Sequence, residues 1–204
     1  MENKLITLLA KRLASWMNQY THKEGFELLK LEVGIECILI NISKMIIIYT
    51  LATLLGVLLQ TFIIHFAFVL TKRYSFGAHA LNSTVCTIVS CCMFVIAPLI
   101  MSGVGITNQV VIIVFAAIIY TLYKFAPADT KARPLIGAKL RKQLKKRATI
   151  CGIILLIITL LIPNESIKLL LVLGAVYQCI SILPITYKIL GRSTKNYEKY
   201  ECAS

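Results

Sequence analysis

Lys72-Arg73-Tyr74-Ser75-Phe76-Gly77-Ala78-His79-Ala80-Leu81-Asn82-Ser83-Thr84-Val85-Cys86 separates two long apolar blocks. Before it, residues 33–71 are apolar apart from Glu36, Asn41, Lys44, Gln60 and His65; after it, an apolar run extends from Thr84 to Met101. A membrane-spanning helix needs about 20 residues. The first block therefore predicts two tight spans turning near Gly56, or one span plus a re-entrant piece. The second predicts one more span.

Composition points the same way. The chain of 204 residues is 58% hydrophobic and only 15% charged, with mean hydropathy +0.79. Soluble domains are about 45–50% apolar and about 25% charged. The bilayer thus replaces most of a conventional core, which predicts a single all-α polytopic bundle, residues 1–204. The net charge of +13 raises nucleic acid as a partner, but the cations lie between apolar spans. There they read as orientation signals and contacts to anionic lipid. Of the seven cysteines, most fall within apolar runs, where cysteine acts as a small hydrophobe. Neither a disulfide framework nor a zinc ribbon is suggested. Residues 1–20 mix Lys, Arg and polar residues through their apolar positions and do not read as a cleavable signal.

Outward from the central stretch, residues 1–32 read as a cytoplasmic interfacial helix. Leu5, Leu9, Leu13, Trp16 and Tyr20 form one stripe, with Lys4, Lys11, Arg12, Lys23 and Lys30 beside it. The bland alternative is a helix packed on the loops. Lys44 within a span would cost about 3 kcal/mol at the bilayer centre; facing the interior near Glu36 would relieve that cost. His65 reads as a packed polar residue. Beyond Met101, residues 102–109 form an uncharged turn and 110–125 return across the membrane. Residues 124–147 hold nine of the 22 basic residues against Asp129 alone, which predicts a basic cytoplasmic loop. Residues 148–162 go out, 163–166 turn and 167–190 come back. Six crossings, or four with an interfacial pair at 33–71, place every basic segment on one side. The expectation is a multi-pass cell-membrane protein with the 72–86 stretch on the cytoplasmic side.

That stretch carries the chemistry. Asn82, Ser83 and Thr84 are N-cap residue types before an apolar run. With Ser83 as N-cap, Cys86 lies in the first helical turn, where unpaired N–H groups favour a thiolate. His79 lies seven residues earlier; on one straight helix the two would stand roughly 10 Å apart along the axis. A Cys–His pair therefore requires the chain to turn between them, and Gly77 supplies backbone freedom or close approach. The spacing is compatible with a dyad and also with incidental loop and helix residues.

The run Arg73-Tyr74, Gly77-Ala78-His79-Ala80, Ser83 and Cys86 resembles the signature of the AgrB family, accessory gene regulator proteins of Gram-positive quorum-sensing systems. Val33-Gly34-Ile35-Glu36 with Asn41 and Lys44 is similar to that family's first span, and Phe125-Ala126-Pro127-Ala128-Asp129-Thr130 to the opening of its basic loop. The resemblance implies a membrane cysteine endopeptidase, with Cys86 as nucleophile and His79 as general base. Its substrate would be an AgrD-like propeptide. Cleavage would leave a thioester, and a propeptide cysteine would displace Cys86 to close a thiolactone. Arg73, Gly77, Ser83, Lys131 and Arg133 are the expected substrate-binding residues, with no cofactor and no metal. The expected partners are the propeptide and the lipid bilayer, with a homodimer left open and nucleic acid excluded. The alternative reading is a non-catalytic peptide carrier or exporter.

Overall fold

A computed structural model describes residues 4–78, 83–130 and 134–201. Among them the chain is helical, apart from one isolated parallel bridge between Phe76 and Ala128. Helix α1 spans Lys4–Thr21 and α2 spans Gly25–Leu54. The expected 1–32 surface helix is therefore divided. Its end is marked by His22 at φ 46° and by Asn18, whose Oδ1 accepts the Lys23 N–H at 2.7 Å. Helix α1 buries Ala10 and Ala14, while Leu5, Leu9, Leu13, Trp16 and Tyr20 all face away from the protein. The apolar stripe is thus not used for packing, which is the geometry of an interfacial helix.

Helix α3, Leu58–Ser75, follows a three-residue turn at 55–57, with Gly56 at φ +71°. Residues 33–71 are thus a helical hairpin. Lys44 does not meet Glu36 as expected: Glu36 accepts from Thr7 Oγ1 at 2.6 Å, and Lys44 lies within electrostatic reach of Lys72. His65 is a packed polar residue, hydrogen-bonded through Nδ1 to Tyr49 Oη at 2.9 Å, with its ring centroid 5.0 Å from that of Phe94 and tilted 37° to it.

Helix α4, Ser83–Cys91, runs through a π-helical segment, Cys92–Ile96, into α5, Ala97–Ile100. The π segment has a specific partner. Buried Thr61 donates to the Phe94 carbonyl at 2.7 Å, using an acceptor where the wider turn disturbs the regular ladder. Helix α6 is Asn108–Phe125, α7 is Ala138–Leu161 and α8 is Glu165–Ile182. Residues 138–147 of the expected 124–147 loop are therefore the first turns of α7, continuous with the span behind them. The expected 167–190 span is also broken. Leu183 is extended, at φ −65° and ψ 139°, and α9 restarts at Pro184–Ile189. Proline disfavours a helical conformation in the residue before it. A last turn, α10, covers Glu198–Glu201.

Among the described residues, three helices are long and apolar enough to cross a membrane: residues 27–54 within α2, α6 and α8. Ile113 of α6, Leu54 and Leu161 are 71–78% exposed, as side chains in contact with lipid would be. The main core joins α3, α6, α7 and α8 through Ala67, Phe115, Leu122, Leu155 and Ala175. A second cluster ties α2 and the π segment to α3 through Ile48, Ile64 and Phe94. Helices α3 and α8 approach closely at Gly174. A Cβ there would overlap the Ile64 carbonyl oxygen and lie 2.8 Å from Ala67 Cβ. Small residues allow such contact where lipid offers no hydrophobic drive between helices.

Candidate active site

Helix α3 carries Lys72 and Arg73 in its last turn and stops at Ser75. Phe76, at φ 57°, and Gly77, at φ +123°, redirect the chain at the end of α3, and α4 is described from Ser83 to Cys91. The stretch from Gly77 to Cys86 is therefore not one helix. His79 and Asn82 lie outside the described residues, as do Lys131 and Arg133.

The turn after α3 is held from two sides. On one side, Ala128 N–H donates to Ser75 O at 2.9 Å and Gly77 N–H to Ala128 O at 3.2 Å. These make the Phe76–Ala128 bridge; the Ala126–Pro127 peptide beside it is cis. On the other side stands the last turn of α8. Ala78 N–H donates to Ser181 O at 2.9 Å. Fully buried Gln178 donates from Nε2 to Ser75 Oγ at 2.7 Å and to the Phe76 carbonyl oxygen. Its own Oε1 accepts from Ser181 Oγ at 3.0 Å. Gly77 is required by this fit: a Cβ there would overlap Ser181 Oγ and lie 3.1 Å from Ser181 O.

Cys86 is half-buried in the first turns of α4, with its carbonyl accepting from Ser90 Oγ at 2.8 Å. Lys72 lies within electrostatic reach of Cys86, and its ammonium sits 4.8 Å from the Phe68 ring centroid. Lys72 also lines a cavity of about 390 Å³ together with Arg73, Gly77, Asp129 and Thr130. Two of the expected substrate-binding residues, Arg73 and Gly77, thus share one cavity. Ser83 opens α4. Cys86 is not among the described residues of the cavity wall, and Lys72, which is, lies within electrostatic reach of it.

Asp129 is buried, and its carboxylate faces the C-terminal chain. Oδ2 accepts the Tyr197 N–H at 2.9 Å and Oδ1 accepts from Asn196 Nδ2 at 3.5 Å. Tyr187 Oη donates to the Asp129 carbonyl at 2.9 Å. The segment 126–130 is thus a structural turn with a nonlocal anchor. Farther out, Glu201 bridges Arg141, at 2.6 and 3.0 Å, and the Gly137 N–H, at 2.8 Å. The Arg141 guanidinium and the Gly137 N–H hold the Glu201 carboxyl below its usual range, and the Glu201 carboxylate in turn favours the charged form of Arg141.

Sequence reasoning missed Gln178, Ser181 and Lys72. Gln178 did carry a signal: it is a polar side chain inside an apolar span, and such residues commonly face the bundle interior.

Comparison with known proteins places the chain in a family. No solved structure matches the chain. It is 42% identical to an AgrB-like protein of Clostridium acetobutylicum over 98% of this chain and 96% of the relative. It is 46% identical to an AgrB-like protein of Listeria innocua, covering 88% and 87%. With accessory gene regulator protein B of Staphylococcus aureus it shares 33% identity over 86% of this chain and 93% of that one. The sequence model of the family described as accessory gene regulator B matches residues 7–182. The chain belongs to the AgrB family.

Proposed function

We propose that this membrane protein of the AgrB family is a cysteine endopeptidase that matures an AgrD-like quorum-sensing propeptide. Cys86 is the nucleophile and His79 the general base, on the cytoplasmic side. What supports this reading is the family match, which spans Cys86, together with the end of α3 at Ser75, whose last turn holds Lys72 within electrostatic reach of Cys86 in α4.

In this mechanism His79 takes the Cys86 proton, and the sulfur attacks a backbone carbonyl of the propeptide. The C–N bond breaks as His79 returns the proton to the leaving amine, and the acyl group remains as a thioester. A thiolate inside the propeptide then attacks that thioester. Its S–C bond forms, Cys86 leaves and is reprotonated, and the product is a thiolactone. Thioester exchange is nearly neutral in free energy, so positioning of the second thiol decides the yield. Effective molarity contributes up to about 7–11 kcal/mol in favourable model reactions. The ammonium of Lys72, within electrostatic reach of Cys86, stabilises negative charge on the attacking sulfur. Arg73 and Gly77 present the cavity that receives the peptide; Ser83, Lys131 and Arg133 extend the binding surface.

Coexpression with the candidate propeptide, followed by mass measurement, tests this. A product lighter by one water than the linear cleaved peptide is expected from the unaltered protein and absent with Cys86→Ala or His79→Ala. Continued cleavage by both variants would reject the peptidase and leave the carrier reading.

A further inference from the structure

A second cavity, of about 620 Å³, shares Ala128 and Asp129 with the first. It opens between the end of α6, the first turns of α7 and the chain after α8. Lys124, Arg141, Lys142, Lys145 and Lys195 line it. Its apolar wall includes Phe125, Ile182, Pro184 and Tyr187. The volume falls within the roughly 300–1,000 Å³ of small-molecule sites.

The charges in this cleft are not balanced. The carboxylate in its wall, Asp129, is taken by Tyr197 and Asn196. Arg141 is taken by Glu201, and Lys195 pairs with Glu198 at 3.4 Å. Lys124, Lys142 and Lys145 form no ion pair among the described residues. Two of them lie over aromatic faces, Lys124 at 5.5 Å from the Phe125 centroid and Lys145 at 5.0 Å from Tyr123. Such contacts orient an ammonium without neutralising it.

The depth of the cleft bears on which anion it would take. Helices α6 and α8 are both apolar enough to cross a membrane, and their last residues, Phe125 and Ile182, both line the cleft. Tyr120 and Tyr123 stand exposed on the final turns of α6, where aromatic residues mark the level of lipid headgroups. An anion reaching this depth with an apolar body behind it is a lipid. We infer that this cleft binds the phosphodiester headgroup of an anionic phospholipid, with the phosphate on Lys124, Lys142 and Lys145 and the glycerol backbone against Phe125 and Pro184. A zwitterionic headgroup brings its own cation, which these lysines repel.

The test uses the full chain purified in detergent, with native mass spectrometry after adding phosphatidylglycerol, phosphatidylcholine or soluble glycerol phosphate. Each cation near a surface adds on the order of five-fold to binding of anionic lipid. Retention of phosphatidylglycerol over phosphatidylcholine by tens-fold is expected. Lys142→Gln with Lys145→Gln should reduce that preference more than ten-fold. Lys139→Gln, on the same helix but outside the cleft, should leave it unchanged. Unaltered melting of the variants in detergent shows that they are folded, and Lys124→Gln provides a second substitution at the site. Equal retention of the two lipids, or a preference surviving in the double variant, would overturn the inference. So would competition by glycerol phosphate as strong as that by the lipid, or displacement of the lipid by a short acidic peptide at equal concentration. The first would mark a site for free phosphate and the second a peptide groove.

Discussion

Gly77→Ala tests how the end of α8 supports the proposed site. The methyl group would overlap Ser181 Oγ, stand 3.1 Å from the Ser181 carbonyl oxygen and 3.3 Å from Ile182 Cγ2. Ser181 Oγ can rotate away, but the backbone oxygen cannot. Overpacking of this kind costs about 1–3 kcal/mol. Holding a non-glycine residue at φ +123° adds about 1–3 kcal/mol. The sum, about 2–6 kcal/mol, is comparable to or larger than what two or three neutral hydrogen bonds at about 1 kcal/mol each return. The 76–78 segment should therefore leave α8 rather than distort the bundle, whose buried clusters do not include it. Propeptide cleavage should fall at least about 30-fold, since 1.4 kcal/mol is a factor of ten, while melting in detergent changes little. Limited proteolysis should show new cutting between Ser75 and Ser83. Adding Ser181→Gly removes the hydroxyl but not the carbonyl contact or the strain, so it should recover only part of the loss. Wild-type cleavage and wild-type proteolysis in Gly77→Ala would refute the clamp. So would single and double variants that combine additively, within about 0.5 kcal/mol, because contacting residues should couple.

Gln178→Ala should leave Ser75 Oγ and the Phe76 carbonyl without their shared donor and cost about 1–3 kcal/mol, read as faster proteolysis of the same segment; Gln178→Glu, which keeps the shape but loses the amide donor, should behave similarly. Gly174→Ala places a methyl group against the Ile64 carbonyl oxygen and should lower stability in detergent by about 1–3 kcal/mol, with no effect expected only if α3 and α8 do not pack this way. The C-terminal turn should release in acid. The carboxyl of Glu201 is held below its usual range by Arg141 and the Gly137 N–H, so its contribution is present above about pH 4.3 and is lost as pH falls through the lower folded value. Cysteine-specific labelling of a probe placed at Ser193 should report that release, and Glu201→Gln should abolish the pH dependence.

The all-α membrane bundle was legible because its causes are local. Long apolar runs, the turn at Gly56 and the halt of α3 before Gly77 all follow from backbone hydrogen bonding and residue type within a few positions. The family was legible because its motif is contiguous in the chain. The 167–190 break was legible too, in Pro184, although apolarity alone suggested a continuous span. The basic segment before residue 148 was read as loop from its charge. Lys and Arg are good helix formers, and residues 138–147 extend α7. Periodicity could not say which partner each polar group would meet. Glu36 goes to Thr7 and Asp129 to the C-terminal chain. Gln178 reaches a segment 102 residues away. The π turn in the third span is tied to Thr61, which lies 33 residues before its Phe94 partner. Sequence by itself determined that this chain is helical, membrane-embedded and basic at its polar ends. Only the tertiary structure decided which buried donors and acceptors satisfy one another, because that choice depends on how helices distant in sequence approach, and local propensity carries no information about it.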